Sequence, residues 1–195
     1  DDGRDMGLVG MVQDAMDRAG EIDLLDPNRF ESIEPSVTAD DHGSVSRLLT
    51  MAENSSPEDF SSALSRARSR DTQEECPVVG ITGTGGAGKS SLMDEVMLRI
   101  QRDNPGAKVA LLATDPTRKK TGGALLGDRI RMNSLTDPNL FMRSFASRDS
   151  GREIADCVGR AVEVCKAVGF DLILVETSGI GQGNDAITEV SDASI

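Results

Sequence analysis

Near the start of the chain, Met6, Val9, Val12 and Met16 recur at spacings of three and four, which predicts an amphipathic helix over 6–19 stopped by Gly20. Such a helix cannot bury its apolar side alone, so residues 1–20 are expected to close a domain lying mostly upstream. Residues 21–75 are rich in Asp, Glu, Ser and Pro and read as a mostly helical linker. A short helix is expected over 44–53, with Val45, Leu48 and Leu49 inward. Ser56-Pro57-Glu58-Asp59 predicts another helix start, with Ser as N-cap, Pro at the first helical position and acids in the first turn. That helix should run to about Arg70. Arg66, Arg68 and Arg70 then lie near its C-terminus, where cations are favoured, a simpler reading than an anion site.

From Cys76 the pattern changes. Val78-Val79-Gly80-Ile81-Thr82 is a short apolar run suited to a buried parallel strand. A helix is expected over 90–102 with Leu92, Val96 and Ile100 on its inner side, ended by Asn104-Pro105-Gly106. Residues 108–113 predict a second strand. Residues 152–168 predict a helix with Ile154, Val158, Ala161, Val162 and Cys165 inward, and residues 170–175 a third strand. Strand–helix alternation implies an α/β fold with a mainly parallel sheet covered on both faces.

Charge narrows the partners. The formal net charge is −12, so the chain has little pull on nucleic acid or on anionic membranes, and a bound nucleotide needs a local positive site. Trp and Tyr are absent, which leaves few platforms for stacking bases. Cys76, Cys157 and Cys165 form no CxxC pair and suggest reduced thiols in a cytoplasmic protein. No apolar run has transmembrane length and no signal peptide is evident. The chain begins with Asp1-Asp2 rather than Met, so it is expected to lack its natural start.

The strongest chemical signal is Gly83-Thr84-Gly85-Gly86-Ala87-Gly88-Lys89-Ser90, which fits G-x-x-x-x-G-K-[ST] at every fixed position. A strand precedes it and a helix follows. Glycines let backbone N–H groups turn inward around phosphate oxygens, and the helix N-terminus adds its positive dipole end. Lys89 can reach the β- and γ-phosphates, and Ser90 can offer its hydroxyl to Mg²⁺. A second signal is Leu174-Val175-Glu176-Thr177-Ser178-Gly179-Ile180-Gly181-Gln182: an apolar strand ends in an acid, and a glycine-rich loop follows. Beside a P-loop, such an acid holds Mg²⁺ directly or through water, and Gly179, Gly181 and Gly183 let the loop answer the γ-phosphate.

Three further features stay open on the residues alone. Asp115, in Thr114-Asp115-Pro116-Thr117, sits at the C-terminal edge of the sheet and either reaches the metal or caps a helix begun by Pro116. Asp128 and Arg131 share a face if their stretch is helical, and serve either metal and phosphate or an ordinary surface ion pair. Arg118-Lys119-Lys120 either screens phosphates or lies in a solvated loop. Asp40-Asp41-His42 contains the only histidine, and in a polar connector it reads as exposed rather than as a metal ligand.

From Pro77 onward the chain resembles a group of P-loop GTPases that carry Glu, here Glu176, where most small GTPases carry Asp. The group includes metallochaperones and the G-protein chaperones of adenosylcobalamin-dependent mutases. The stretches Gly80-Ile81-Thr82-Gly83-Thr84-Gly85-Gly86-Ala87-Gly88-Lys89-Ser90-Ser91 and Gly123-Ala124-Leu125-Leu126-Gly127-Asp128-Arg129-Ile130-Arg131-Met132 resemble the mutase-chaperone branch. They look most like the G domain of the fused isobutyryl-CoA mutases, in which a cobalamin-binding domain, a G domain and an acyl-CoA mutase barrel share one polypeptide. The resemblance covers about 120 residues well. Asp2-Gly3-Arg4 and Gly7-Leu8-Val9-Gly10-Met11 resemble, over a shorter match, the end of that cobalamin-binding domain.

The resemblance implies a P-loop NTPase fold, Rossmann-like and three-layered, over residues 76–195. It implies that Ser90, Asp115, Asp128, Glu176 and Thr177 surround Mg²⁺. Gly85, Gly86, Ala87, Gly88, Lys89, Ser90, Ser91 and Arg131 would bind GTP, with Lys89 and Gln182 catalytic. It further implies adenosylcobalamin in the full-length protein, whose loading GTP would gate for interconversion of isobutyryl-CoA and n-butyryl-CoA, and a homodimer. The chain departs from the family in three ways. It has no Asn-Lys-x-Asp guanine motif before Ile195 and no mutase barrel. It also lacks the Asp-x-His-x-x-Gly cobalamin motif, because Val45 stands where Gly is needed after His42. The expectation is therefore a chain cut at both ends, with the G domain unfinished at its C-terminus. The rivals are a stand-alone methylmalonyl-CoA mutase chaperone, a P-loop ATPase or kinase, and an inactive fragment or interaction module.

Overall fold

The computed structural model describes residues 3–20, 35–68, 76–84, 86–116, 132–147, 151–176 and 183–195. It divides into two compact units, residues 1–32 and residues 33–195. The first contains helix α1 (Gly3–Gly20), kinked at Gly7. Val9, Val12 and Met16 of α1 are exposed.

In the second unit, Asp41 caps α2 (His42–Asn54) by accepting the Ser44 N–H at 3.0 Å. Hydrogen bonds from the Ser44 side chain and then from its backbone N–H hold the Asp41 carboxyl below the usual carboxylate range. Ser56 caps α3 (Pro57–Ala67) by accepting the Asp59 N–H at 3.1 Å. Val45, Leu48 and Leu49 are buried as expected. α3 ends at Ala67, short of the expected Arg70, where the Ser36 and Val37 N–H groups take the carbonyls of Arg66 and Ala67. Asp40 pairs with Lys108, and His42 stands edge-on to Phe141 with ring centroids 5.2 Å apart. The Asp40-Asp41-His42 trio thus caps and packs a helix.

Among the described residues the sheet is five-stranded and parallel at every pairing, in the order β3-β2-β4-β1-β5. Its strands are β1 (Val78–Ile81), β2 (Val109–Pro116), β3 (Leu140–Ser147), β4 (Leu172–Glu176) and β5 (Ala193–Ser194). Helix α4 (Lys89–Asp103) links β1 to β2, α5 (Gly151–Val168) links β3 to β4, and α6 (Gly183–Val190) precedes β5. A 3₁₀ turn, Ser134–Thr136, leads into β3. Alternating residues serve the two faces. Ile81, Val109, Leu111, Leu140, Met142 and Leu174 form one core with Met93 and Met97 of α4. On the other face α2 packs against α5, and α5 against α6.

The face of α4 differs from the expectation. Leu92 is 48% exposed, while Met93 and Met97 are fully buried and Val96 and Ile100 partly so. The run 93, 96, 97, 100 satisfies the helical period as well as 92, 96, 100, and unbranched Met fills the irregular space over the sheet. Strand β3, helix α6 and strand β5 were not expected. β3 hides because Arg143 interrupts its apolar run. The Arg143 guanidinium donates to Thr50 Oγ1 at 3.3 Å and Glu53 Oε2 at 3.2 Å, which clips α2 to the sheet.

Cys76 and Cys165 are buried free thiols. Burial pushes the Cys76 thiol up to about 11 and the Cys165 thiol higher still, so both pack as neutral groups. Gly80 lets α6 approach β1: a Cβ there would lie 2.5 Å from Ile187 Cγ2 and 3.0 Å from Ser191 Oγ. Gly80→Ala is expected to destabilise the fold by about 1–3 kcal/mol through overpacking, as read by urea unfolding.

Candidate nucleotide site

The site lies at the C-terminal ends of β1, β2 and β4. Parallel pairing in register places Ile81 beside Glu176 and Glu176 beside Ala113. The chain leaving β1 and the acid ending β4 therefore meet at one edge, as expected of an open α/β sheet.

The loop after β1 turns sharply into α4. The Ala87 N–H donates to the Thr84 carbonyl at 3.2 Å, and Gly88, the N-cap of α4, has φ 86° in the left-handed region. A side chain at Gly88 would strain this turn. The Leu92 N–H donates to the Gly88 carbonyl at 2.9 Å, so the N–H groups of Lys89, Ser90 and Ser91 precede the helix's own acceptors. The cap residue, a glycine, has no side chain to accept from them. Three backbone donors at the positive end of the helix dipole make an anion cradle.

The Lys89 ammonium folds back across this loop. Its Nζ donates to the Gly83 carbonyl at 2.8 Å and the Thr84 carbonyl at 3.1 Å. An ammonium has three N–H donors, so this pose retains capacity for an anion. Ser90 Oγ donates to Glu176 Oε1 at 2.8 Å, joining residues 86 apart in sequence. Glu176 is 8% exposed. The buried Thr114 hydroxyl donates to the Glu176 main-chain carbonyl at 3.2 Å, one residue past the Ala113–Glu176 pair. Sequence reading passed over Thr114 because a hydroxyl at a strand end carries no pattern of its own.

Of the expected site residues, the structure brings Ser90 and Glu176 into direct contact and places Gly86, Ala87, Gly88, Lys89 and Ser91 in the loop and first turn of α4. Asp115 lies in β2, its side chain outside the described residues. Its alternative as a helix cap is corrected, because Asp115 and Pro116 are both extended and paired with Ala146 and Ser147. Among the described residues, β2 beyond Ala113 pairs with β3 alone, an edge position where proline is tolerated. Gly85, Asp128, Arg131, Thr177 and Gln182 lie outside the described residues, as do Arg118-Lys119-Lys120 and Gly179-Ile180-Gly181.

The donors fit a hard divalent cation. Mg²⁺ takes oxygen ligands at about 2.0–2.1 Å in octahedral geometry, so neighbouring ligand oxygens stand about 2.9 Å apart. The Ser90–Glu176 oxygen separation of 2.8 Å is close to this. No group of three or more His, Cys, Asp or Glu side chains gathers among the described residues. Nor is any helix among them long and apolar enough to cross a membrane.

A sequence-family model described as "Methylmalonyl Co-A mutase-associated GTPase MeaB" matches residues 45–195. The chain is 44% identical over its whole length to a fused isobutyryl-CoA mutase of Geobacillus kaustophilus and 46% identical to one of Cupriavidus metallidurans. It spans 18% of the length of each. A solved structure of a LAO/AO transport system kinase superposes with a TM-score of 0.56 at 23% identity, covering 80% of this chain and 45% of that one, which speaks to the fold. With its P-loop, its parallel sheet and the strand-end Glu176 all within the matched residues, the chain belongs to the family of methylmalonyl-CoA mutase-associated GTPases, MeaB.

Proposed function

We propose that residues 76–195 are the N-terminal part of a G-protein chaperone domain that binds and hydrolyses GTP with Mg²⁺. The contact between Ser90 Oγ and Glu176 Oε1, at the mouth of a loop spanned by Lys89, carries this reading. The helix-start N–H groups and Lys89 bind the triphosphate, together with Gly85, Gly86, Ala87, Gly88, Ser91 and Arg131. Ser90, Asp115, Asp128, Glu176 and Thr177 hold the metal. Mg²⁺, when bound, neutralises charge on the β- and γ-phosphate oxygens. Lys89 holds a donor against the transferring phosphoryl oxygens, Glu176 anchors the metal side from a nearly water-free position, and Gln182 orients the attacking water.

The likeness to the fused isobutyryl-CoA mutases supports a wider reading of the intact polypeptide. Residues 1–20 then end a cobalamin-binding domain and 21–75 form the linker, with an acyl-CoA mutase barrel further along. GTP state gates adenosylcobalamin loading for interconversion of isobutyryl-CoA and n-butyryl-CoA, in a cytoplasmic homodimer with no role at membranes or nucleic acid.

Phosphate release from GTP by the chain, with Mg²⁺ and with a chelator, tests the core of this reading; release that does not depend on Mg²⁺ would sink it. Ser90→Ala removes one metal-side oxygen and leaves the backbone cradle. It is expected to cost about tenfold in Mg²⁺-dependent GTP affinity, the equivalent of about 1.4 kcal/mol, with affinity in chelator unchanged by titration calorimetry.

A further inference from the structure

Helix α4 carries a second carboxylate contact that the proposed chemistry does not use. Asp94 lies four residues after Ser90, one turn along the same side of the helix. Its Oδ1 accepts the Ser134 N–H at 2.8 Å, and its Oδ2 accepts the Asn133 N–H at 3.1 Å and the Asn133 side-chain amide at 3.4 Å. Burial acts to raise this carboxyl, and the donors from Ser134 and Asn133 outweigh it, leaving it below the usual carboxylate range. The held segment is also tied to α4 by packing. Met132 is buried in the core that contains Met93 and Met97, and Leu135 packs against that core. Ser134 is 1% exposed. The 3₁₀ turn it opens has no side-chain cap of its own, so Asp94 supplies the cap from another element.

The location of this contact gives it a second consequence. Asn133 follows Arg131 by two residues and Asp128 by five. The chain bearing those two residues thus rejoins the described fold at a point gripped by the helix that also presents Ser90. We propose that Asp94 is a positioning residue for the nucleotide site: it fixes the P-loop helix and the start of the β3 lead-in as one rigid piece, and so sets where Ser90 meets the metal–phosphate unit. The inference rests on the Mg²⁺-GTP reading above.

Asp94→Asn is a near-isostere with one acceptor and one donor at its tip, so one of the two backbone N–H groups meets an N–H instead of an oxygen. Asp94→Ala leaves both amides to water and avoids that clash, which guards against failure of the Asn variant to fold. Asp94→Glu keeps two acceptors. Glu53→Gln loosens the Arg143 contact on the far face of the sheet and serves as a purely structural control. Each variant of the full chain is titrated with fluorescent GTP in Mg²⁺ and in chelator, and the ratio of the two affinities is read beside the melting temperature. Asp94→Asn and Asp94→Ala are expected to shrink the ratio by about tenfold, the cost of one charge-assisted contact. Asp94→Glu is expected to recover most of it, and Glu53→Gln to lower the melting temperature without touching it. Asp94 variants that melt lower yet keep the unaltered chain's ratio would reduce Asp94 to a turn cap and overturn the inference, leaving the proposed function standing. An unaltered chain whose GTP affinity ignores Mg²⁺ would overturn both.

Discussion

Lys89→Ala is expected to lower GTP turnover by about 10²–10³-fold, the usual cost of deleting one preorganised donor aimed at charge that develops in the transition state. The fold should survive. Lys89 sits at the partly exposed start of α4, and its two hydrogen bonds go to carbonyls of its own loop, so the melting temperature of the nucleotide-free chain should barely move. Lys89→Arg is not expected to rescue. The loop presents two carbonyls to a compact ammonium, whereas the planar guanidinium is wider and its donors are fixed in a fork. Phosphate release at saturating GTP and Mg²⁺ reads the effect. Turnover within threefold of the unaltered chain would remove Lys89 from the catalytic role.

Leu111→Ala should cause the largest loss of stability, about 2–5 kcal/mol. Leu111 is fully buried in β2, between Met142 of β3 and Leu174 of β4, on the face covered by Met93 and Met97 of α4. The neighbouring strands are pinned by their hydrogen-bonded ladders and cannot collapse into the space. Domains of this kind are held by only about 5–15 kcal/mol, so the variant should unfold at markedly lower urea with an unchanged denaturant slope. A loss below about 1 kcal/mol would mean that the methionines of α4 refill the cavity.

Strands β1, β2 and β4 could be read in the sequence because parallel strands buried on both faces are written as continuous apolar runs. β3 could not. Its Arg143 resembles a loop residue until Glu53 and Thr50 of α2 are seen to receive it, and no local pattern announces a partner 90 residues away. Helix α2 was legible from its apolar spacing and α3 from its cap, yet their packing in the unit that holds the sheet depends on contacts such as Arg160 to the Ser55 carbonyl, which periodicity does not encode. The phosphate loop was fully written in its glycines and in Lys89-Ser90. Glu176 was legible only as an acid ending an apolar strand, and the parallel register is what turns that hint into a 2.8 Å contact with Ser90. Asp94 left no trace, since an acid in the second turn of a helix reads as a solvated surface residue until the amides of Asn133 and Ser134 are found on it.

Competition of GTP and ATP for the intact polypeptide in Mg²⁺ tests the central proposal most directly, because the described P-loop recognises phosphates rather than the base. A fluorescent GTP analogue is bound and displaced in turn by GTP, GDP and ATP, with the Lys89→Ala variant alongside. The proposed function requires Mg²⁺-dependent binding that guanine nucleotides displace at much lower concentration than ATP and that the variant weakens. Displacement by ATP at equal or lower concentration than GTP would contradict it and would make this P-loop that of an ATPase or kinase.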